Sequence, residues 1–233
     1  MSTLRSSAIP VTDPSAGLRI TEIFYSLQGE ANTLGLPTVF IRLTGCPLRC
    51  TYCDTTYSFE GGERQSLDEI IQTTLDFKTP YVCVTGGEPL AQPNAIPLMQ
   101  KLADLGCEVS LETSGALDVS KVDPRVSKVL DLKTPTSGEK KRNLMSNLEH
   151  LTQHDQIKFV ICNREDYEWS KLQVEQYKLN EKVSTVWFSP AFAIEKGAVR
   201  LPQLARDLAQ WILEDHIPVR FQLQLHKLLW NDE

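Results

Sequence analysis

The sequence is short of several things, and each shortage excludes a class of protein. It has no apolar run near the ~20 residues that a helix needs to cross a bilayer. Its first residues, MSTLRSSAIPVTDPSAG, lack the continuous apolar segment of a secretory signal. Positive charge is also in deficit: 24 Lys and Arg against 30 Asp and Glu leave a net charge of -6. A broad phosphate-binding surface needs the opposite balance. The expectation is a cytoplasmic protein with a small-molecule substrate, no nucleic acid and no membrane.

Histidine is scarce too. His150, His154, His216 and His226 are the four present, and they share no spacing that suggests a ligand set. Cysteine occurs only six times in 233 residues. Half of these crowd into TGCPLRCTYCDTTYS as Cys46, Cys50 and Cys53. In a reducing compartment such a cluster reads as a metal or catalytic site before it reads as disulfides. Cys83, Cys107 and Cys162 lie in or beside apolar strands, as small buried hydrophobes do.

A hydrophobic content of 41% is enough for a sizeable core, and no low-complexity linker divides the chain. The reading is a loosely held arm over residues 1–17, rich in Ser and Pro, then a single domain over 18–233. Short β-rich runs alternate with amphipathic ones. Strands are predicted at 18–25, 38–45, 81–86, 108–113, 127–132, 156–161, 184–189 and 219–226. Most are apolar and rich in β-branched residues, as buried parallel strands tend to be.

About four helices fill the gaps. Ser66 with Glu69 forms the sequence of a capping box, and Gly106 suits the end of NAIPLMQKLADLG. Asn163 can cap REDYEWSKLQVEQYKL, and Pro202 stands near a first turn. The fold class is α/β, with a parallel sheet that is either barrel-like or doubly wound. In both architectures ligands sit at the C-terminal ends of the strands. The cysteine loop follows such a strand; TGGEP, TSG, KTP and SP follow four others.

The spacing C-x3-C-x2-C supplies three thiolates and no fourth. A structural zinc wants four ligands, and a catalytic zinc seldom takes three thiolates from so short a loop. A [4Fe-4S] cluster fits better, because three cysteines leave one of its four irons open. GGEP by itself could be an ordinary turn, and the run EKKR (139–142) a solvated loop that flanks the pocket.

Together, the cysteine motif and Gly86-Gly87-Glu88-Pro89 resemble the radical S-adenosylmethionine (SAM) superfamily. The resemblance implies a partial, incomplete TIM-like βα barrel, with SAM chelated to the open iron. It places Tyr52 beside the adenine and the GGEP loop near the SAM amino group. FYSLQGEANTLGLPTVFIRLTGC, CDTTYSF and the terminal FQLQLHKLLW narrow this further, and resemble the 7-carboxy-7-deazaguanine synthase family of the queuosine pathway. That likeness covers nearly everything after Leu18.

What the family resemblance implies is a carbon-nitrogen lyase. An electron from the reduced cluster cleaves SAM, and the resulting 5′-deoxyadenosyl radical takes hydrogen from C6 of 6-carboxy-5,6,7,8-tetrahydropterin. The ring then contracts to 7-carboxy-7-deazaguanine with loss of ammonia, and SAM is regenerated. By resemblance, Leu27, Gln28, Gly29, Arg42 and Thr85 bind the pterin, and Thr55 binds Mg²⁺. Tyr52, Cys53, Asp54, Gly87, Ser114, Asp131 and Lys133 are SAM contacts on the same ground. Arg42 offers a planar fork suited to a carboxylate or a pterin carbonyl, and Gln28 both a donor and an acceptor. Taken without the family, Arg42 would be a surface ion pair and Thr55 a turn or cap residue.

The chain departs from the family in two places. DLK (131–133) stands where many members carry serine-proline-lysine, and Ala31 stands where many have glycine. The resemblance also implies a homodimer and an electron donor such as flavodoxin. Two rivals remain: a glycyl-radical-enzyme activating enzyme, which needs an open face for a partner loop, and a non-enzymatic electron carrier with a fully ligated centre.

Overall fold

A computed structural model describes residues 17–191 and 202–230. The expected N-terminal arm lies outside the described residues except for Gly17. One sheet of nine strands organises the rest. The strands are β1 (Leu18–Leu27), β2 (Pro37–Leu43), β3 (Glu63–Gln65), β4 (Tyr81–Gly86), β5 (Glu108–Thr113), β6 (Ser127–Asp131), β7 (Gln156–Ile161), β8 (Thr185–Pro190) and β9 (Arg220–Phe221). Their spatial order is β3-β1-β2-β4-β5-β6-β7-β8-β9. Every neighbouring pair from β2 to β9 is parallel, whereas β1 runs antiparallel to both β2 and β3. β3 and β9 are open edges, so the sheet is a partial barrel and not a closed one.

Alternation along the strands decides what each face does, because successive side chains point to opposite sides. Ile41 and Leu43 of β2, Val82 and Val84 of β4, and Ile157, Phe159 and Ile161 of β7 are buried in one apolar core. The outer helices pack onto that face: α1 (Leu67–Asp76), α2 (Ala95–Asp104), α3 (Arg164–Tyr177) and α5 (Gln203–Asp215), with short α4 (Leu179–Lys182) between the last two. Tyr167 of α3 stands edge-on to Phe188 at 5.8 Å, and Phe188 edge-on to Phe159 at 5.5 Å. The intervening strand residues, Phe40, Arg42, Thr85, Glu112, Asp131 and Lys158 among them, face inward and line a cavity.

Helix boundaries follow their local chemistry. Ser66 and Glu69 close the capping box: Ser66 N–H donates to Glu69 Oε2 at 2.8 Å, and Glu69 N–H to Ser66 Oγ at 3.3 Å. Asn163 Oδ1 accepts from Asp166 N–H at 3.0 Å and starts α3. Gly106, at φ +87°, ends α2's chain direction as expected of a residue without a Cβ.

The C-terminal expectation needs correction. Of residues 219–226 only Arg220–Phe221 pair as strand, and Leu225–Leu229 form a helix, α6. The FQLQLH alternation imitates a strand, but past Phe221 the chain leaves the sheet edge. Leu225 N–H donates to Gly29 O at 3.0 Å, which docks α6 against the loop after β1.

Candidate active site

The inward face encloses a cavity of about 1260 Å³ at the C-terminal ends of the parallel strands. Cys46, Cys50 and Cys53 line one side of it, on the loop that leaves β2. Backbone bonds hold that loop at both ends: Gly45 N–H to Ser58 O at 2.8 Å, Glu88 N–H to Gly45 O at 2.8 Å, and Thr51 N–H to Ser137 O at 3.1 Å. The GGEP loop lies directly beneath. A side chain on Gly87 would fall inside contact distance of Gly45 O, and one on Gly86, at φ +136°, would collide with Leu43. These glycines let two loops approach, with a ligand or without one.

The three thiols are mutual neighbours. Burial is the main cause that pushes Cys46 up and Cys50 up to about 11; Glu88 and Cys53 raise Cys46 further, and Asp131, Cys53 and Cys46 raise Cys50. Among the described residues no three Cys, His, Asp or Glu side chains are gathered around a single-ion point. The fit to a polynuclear cluster therefore rests on the nearness of three thiols in one loop, not on a preformed coordination sphere. Neutral thiols must lose their protons to become ligands.

Four ion pairs ring the cavity. Arg42 Nε donates to Glu22 Oε1 at 2.6 Å, and its guanidinium sits 5.6 Å from the Phe24 ring centroid and 5.7 Å from that of Tyr57. Lys133 bonds Asp131 at 2.8 Å and lies 5.9 Å from the Tyr52 ring centroid. Lys227 of α6 bonds Asp54 at 2.9 Å. Lys158 donates to Glu30, whose other oxygen accepts from Gln224 Nε2 at 2.7 Å. Glu30 is well desolvated, which by itself would raise its pKa, but Lys158 outweighs this and leaves the carboxyl below its usual range. Burial works against the charge of Lys158 also, and Glu30 and Glu112 together overcome it.

Glu112 is different. Among the described residues its side chain makes no hydrogen bond or ion pair, and desolvation, followed by the nearby Glu30, raises its pKa to about 7. Three buried polar atoms of cavity residues are also unsatisfied, Gln28 Nε2, Tyr52 Oη and Asp131 Oδ1.

Comparison with known proteins identifies the family. Residues 40–137 match the radical SAM superfamily. The 7-carboxy-7-deazaguanine synthase of Koribacter versatilis is 44% identical over 222 residues, covering 93% of this chain and 98% of that one. This chain belongs to the 7-carboxy-7-deazaguanine synthase family. The Chlorobaculum tepidum member is 42% identical over 221 residues, at 94% and 96% coverage. The crystal structure of QueE from Escherichia coli has the same fold, with a TM-score of 0.71 at 23% identity, covering 90% of this chain and 95% of that one.

Every residue singled out from the sequence for cluster, SAM, Mg²⁺ or pterin reaches this one cavity. Leu27, Gln28 and Gly29 come from the end of β1 and the turn after it, Arg42 from β2, and Thr85 and Gly87 from β4 and its loop. Tyr52, Asp54 and Thr55 come with the cysteines, Ser114 from the end of β5, and Asp131 and Lys133 from β6 and beyond. Thr55 Oγ1 is 3.7 Å from Cys53 Sγ.

Some roles are narrower than the motif suggests. Glu88 is fully buried and accepts from Leu90 N–H, Thr113 Oγ, Ser114 N–H and Ser114 Oγ, so its carboxylate is a brace between two loops. Ser114 therefore spends its hydroxyl proton on Glu88, and Arg42 is a part-buried ion pair that lines the site, not a surface one. Ala31, at φ +62°, occupies the left-handed region, at a cost of about 1 kcal/mol or more that a glycine would avoid.

Glu22, Glu30, Glu112, Lys158, Gln224, His226 and Lys227 also reach the site, and sequence reasoning missed them. Cys162, read as a buried strand cysteine, lines the cavity half-exposed. One signal was available: Lys158 in QIKFVI and Glu112 in EVSLET are charges set inside apolar strands, where an unpaired charge is costly unless it faces a polar cavity.

Proposed function

We propose that the chain is a radical SAM carbon-nitrogen lyase that converts 6-carboxy-5,6,7,8-tetrahydropterin to 7-carboxy-7-deazaguanine with loss of ammonia, in 7-deazapurine (queuosine) biosynthesis. The observation that carries this reading is the single cavity in which the cysteine loop faces the wall of Gln28, Arg42 and Thr85. Cys46, Cys50 and Cys53 would hold one [4Fe-4S] cluster, with Tyr52, Cys53, Asp54, Gly87, Ser114, Asp131 and Lys133 around SAM and Thr55 on Mg²⁺. When bound, this set supplies a carbon-centred radical able to take a hydrogen from an unactivated carbon.

The protein's own residues bind, orient and shield. Arg42 is held rigid by Glu22 and by the rings of Phe24 and Tyr57, with the free edge of its fork available for the substrate carboxylate. Gln28 carries an unused buried N–H group. Glu112, with a pKa near neutrality and no protein partner, is suited to accept from the amino-substituted edge of the pterin. Alternatively, it can keep a proton on its carboxyl oxygen and pass it to the departing amine. The part of the molecule that carries this chemistry is the single domain from Leu18 onward.

Further features belong to the same proposal. No helix among the described residues is long and apolar enough to cross a membrane, in keeping with a cytoplasmic enzyme. Leu228, Leu229 and Trp230 expose 41%, 46% and 49% of their surface on α6 and beside it, which suits burial in a homodimer. The reductant is a protein donor such as flavodoxin. The glycyl-radical activase reading is not favoured, because Arg42, Gln28 and Glu112 converge on a small heterocycle and not on an open peptide face.

The test is anaerobic turnover after reconstitution with iron and sulfide, with reductant, SAM, Mg²⁺ and the carboxytetrahydropterin, read by mass spectrometry. Product formed over many cycles per SAM is the expected result. Slow SAM cleavage to 5′-deoxyadenosine without product would refute the substrate; an intact, reducible cluster that leaves SAM uncleaved would point to an electron carrier.

A further inference from the structure

The basic run after β6 is the one sequence motif that the active site does not absorb. Lys140, Lys141 and Arg142 form a single 3₁₀ turn, and all three are exposed. Among the described residues their side chains make no ion pair and no hydrogen bond. In a chain of net charge -6, three unpaired cations on one turn are a local reversal of sign.

Position gives the reversal meaning. The turn is fastened to the cysteine loop and not merely near it. Arg49, between Cys46 and Cys50, donates its backbone N–H to Glu139 Oε1 at 2.6 Å. Thr51, between Cys50 and Cys53, donates its N–H to Ser137 O at 3.1 Å and its hydroxyl to Thr136 O at 2.8 Å. Glu139 immediately precedes the basic turn. Arg49 adds a fourth exposed cation: its guanidinium donates to Cys46 O at 2.8 Å and Leu48 O at 2.7 Å, and lies 4.3 Å from the Phe59 ring centroid. The outer surface of the loop that carries the thiols is thus positive, rigidly joined, and on the solvent side of the cavity wall.

We propose that Lys140, Lys141, Arg142 and Arg49 form the docking face for an acidic one-electron carrier protein that reduces the cluster. The inference rests on the cluster assignment above, and it names the face and the charge of the partner. An electron entering here meets the backbone of the cluster loop directly, without crossing the sheet or the outer helices. Electrostatic steering suits such brief encounters, which bury little surface and depend on like orientation more than on affinity. A small heterocyclic substrate has no use for an outward-facing cation set, because its own site lies on the inner side of the same loop.

The experiment uses the reconstituted full-length enzyme and a reduced flavodoxin as the carrier probe, with dithionite as a small-molecule control. The variants are K140E/K141E/R142E and the milder K140Q/K141Q/R142Q; these side chains contact nothing in the catalytic cavity. With dithionite, both variants should match the wild type in cluster reduction and product formation. With flavodoxin at low salt, the dependence on carrier concentration should weaken by at least ~10-fold in the charge reversal and by less in the neutral variant. High salt should erase the difference by slowing the wild type.

Unchanged carrier dependence in the charge reversal would overturn the docking face, as would a wild type indifferent to salt. Transfer RNA bound by the wild type and released by the variants, with carrier kinetics unaltered, would assign the turn to nucleic acid instead. A wild type that makes no product with dithionite would show that the proposed function itself had failed, and the docking face with it.

Discussion

Replacing Glu88 by Gln tests whether the GGEP glutamate is a structural brace. Its carboxylate lies at 0% exposure and receives Leu90 N–H at 3.0 Å on Oε1, and Ser114 N–H at 2.8 Å and Ser114 Oγ at 2.6 Å on Oε2; Thr113 Oγ is 2.9 and 3.0 Å from the two oxygens. Glutamine keeps the shape but turns one oxygen into a donor. If its oxygen stays on Leu90 and Thr113, the new NH₂ faces Ser114 N–H, and only the Ser114 hydroxyl can rotate to accept. One buried N–H is then orphaned, at about 1–3 kcal/mol. For a domain of this size 1 kcal/mol corresponds to about 2–4 °C. E88Q should therefore lower the Tm of the cluster-free protein by roughly 2–12 °C, as read by circular dichroism. SAM binding by the reconstituted enzyme should weaken as well, because Gly87 and Ser114 are positioned through the same carboxylate. A variant as stable as the wild type, with unchanged SAM binding, would refute the reasoning.

Three further perturbations follow from the geometry. Lys158→Met leaves Glu30 buried with Gln224 as its remaining hydrogen-bond partner and should cost ~3–5 kcal/mol, whereas adding Glu30→Gln should restore much of it; equal melting temperatures for the single and double variants would rule out the pair as the cause. Glu112 has a folded pKa near 7, above its usual 4.5, so the folded state holds the proton more tightly than the unfolded one. Wild-type stability should thus fall relative to E112Q as pH rises from about 4.5 to 7, and parallel Tm curves over that window would contradict it. Gly87→Ala presses a methyl group onto Gly45 O and to within 2.9 Å of Cys46 Cβ, so iron content per folded chain should drop severalfold on reconstitution; full iron loading would show that the loops can part.

The parallel strands were readable because each is a short apolar run between turn signals, and the cysteines because their spacing is local. β3 was missed because Glu63–Gln65 has no apolar residue and owes its conformation to pairing with Leu18–Ile20 of β1. The last segment was misread for the opposite reason: FQLQLH has the period of a strand, yet its polar residues Gln224 and His226 turn to the cavity from a helix start. The missed site residues have a common cause. Glu30 and Lys158 are 128 positions apart and meet only because β7 turns its even-numbered residues inward beneath the loop after β1. No window of sequence contains both, and only the sheet order brings them together.

That sheet order also accounts for the electrostatics of the cavity. Glu22, Glu30, Asp54, Glu112 and Asp131 line it, and so do Arg42, Lys133, Lys158 and Lys227. Each cation is matched to one carboxylate, which leaves Glu112 as the carboxylate without an ion-pair partner. Buried charges in pairs cost far less than buried charges alone, so the pairing allows a large polar cavity to exist inside an apolar shell. It also means that no lysine lining the cavity is idle. A substrate bearing its own carboxylate must use the outer edge of an already engaged Arg42 or bring a cation with it, and a hard divalent ion beside Thr55 would meet that need. Glu112 lowers its own penalty by approaching neutrality at pH 7. The cavity carboxyl with no ion-pair partner is consequently well placed to exchange a proton with whatever enters.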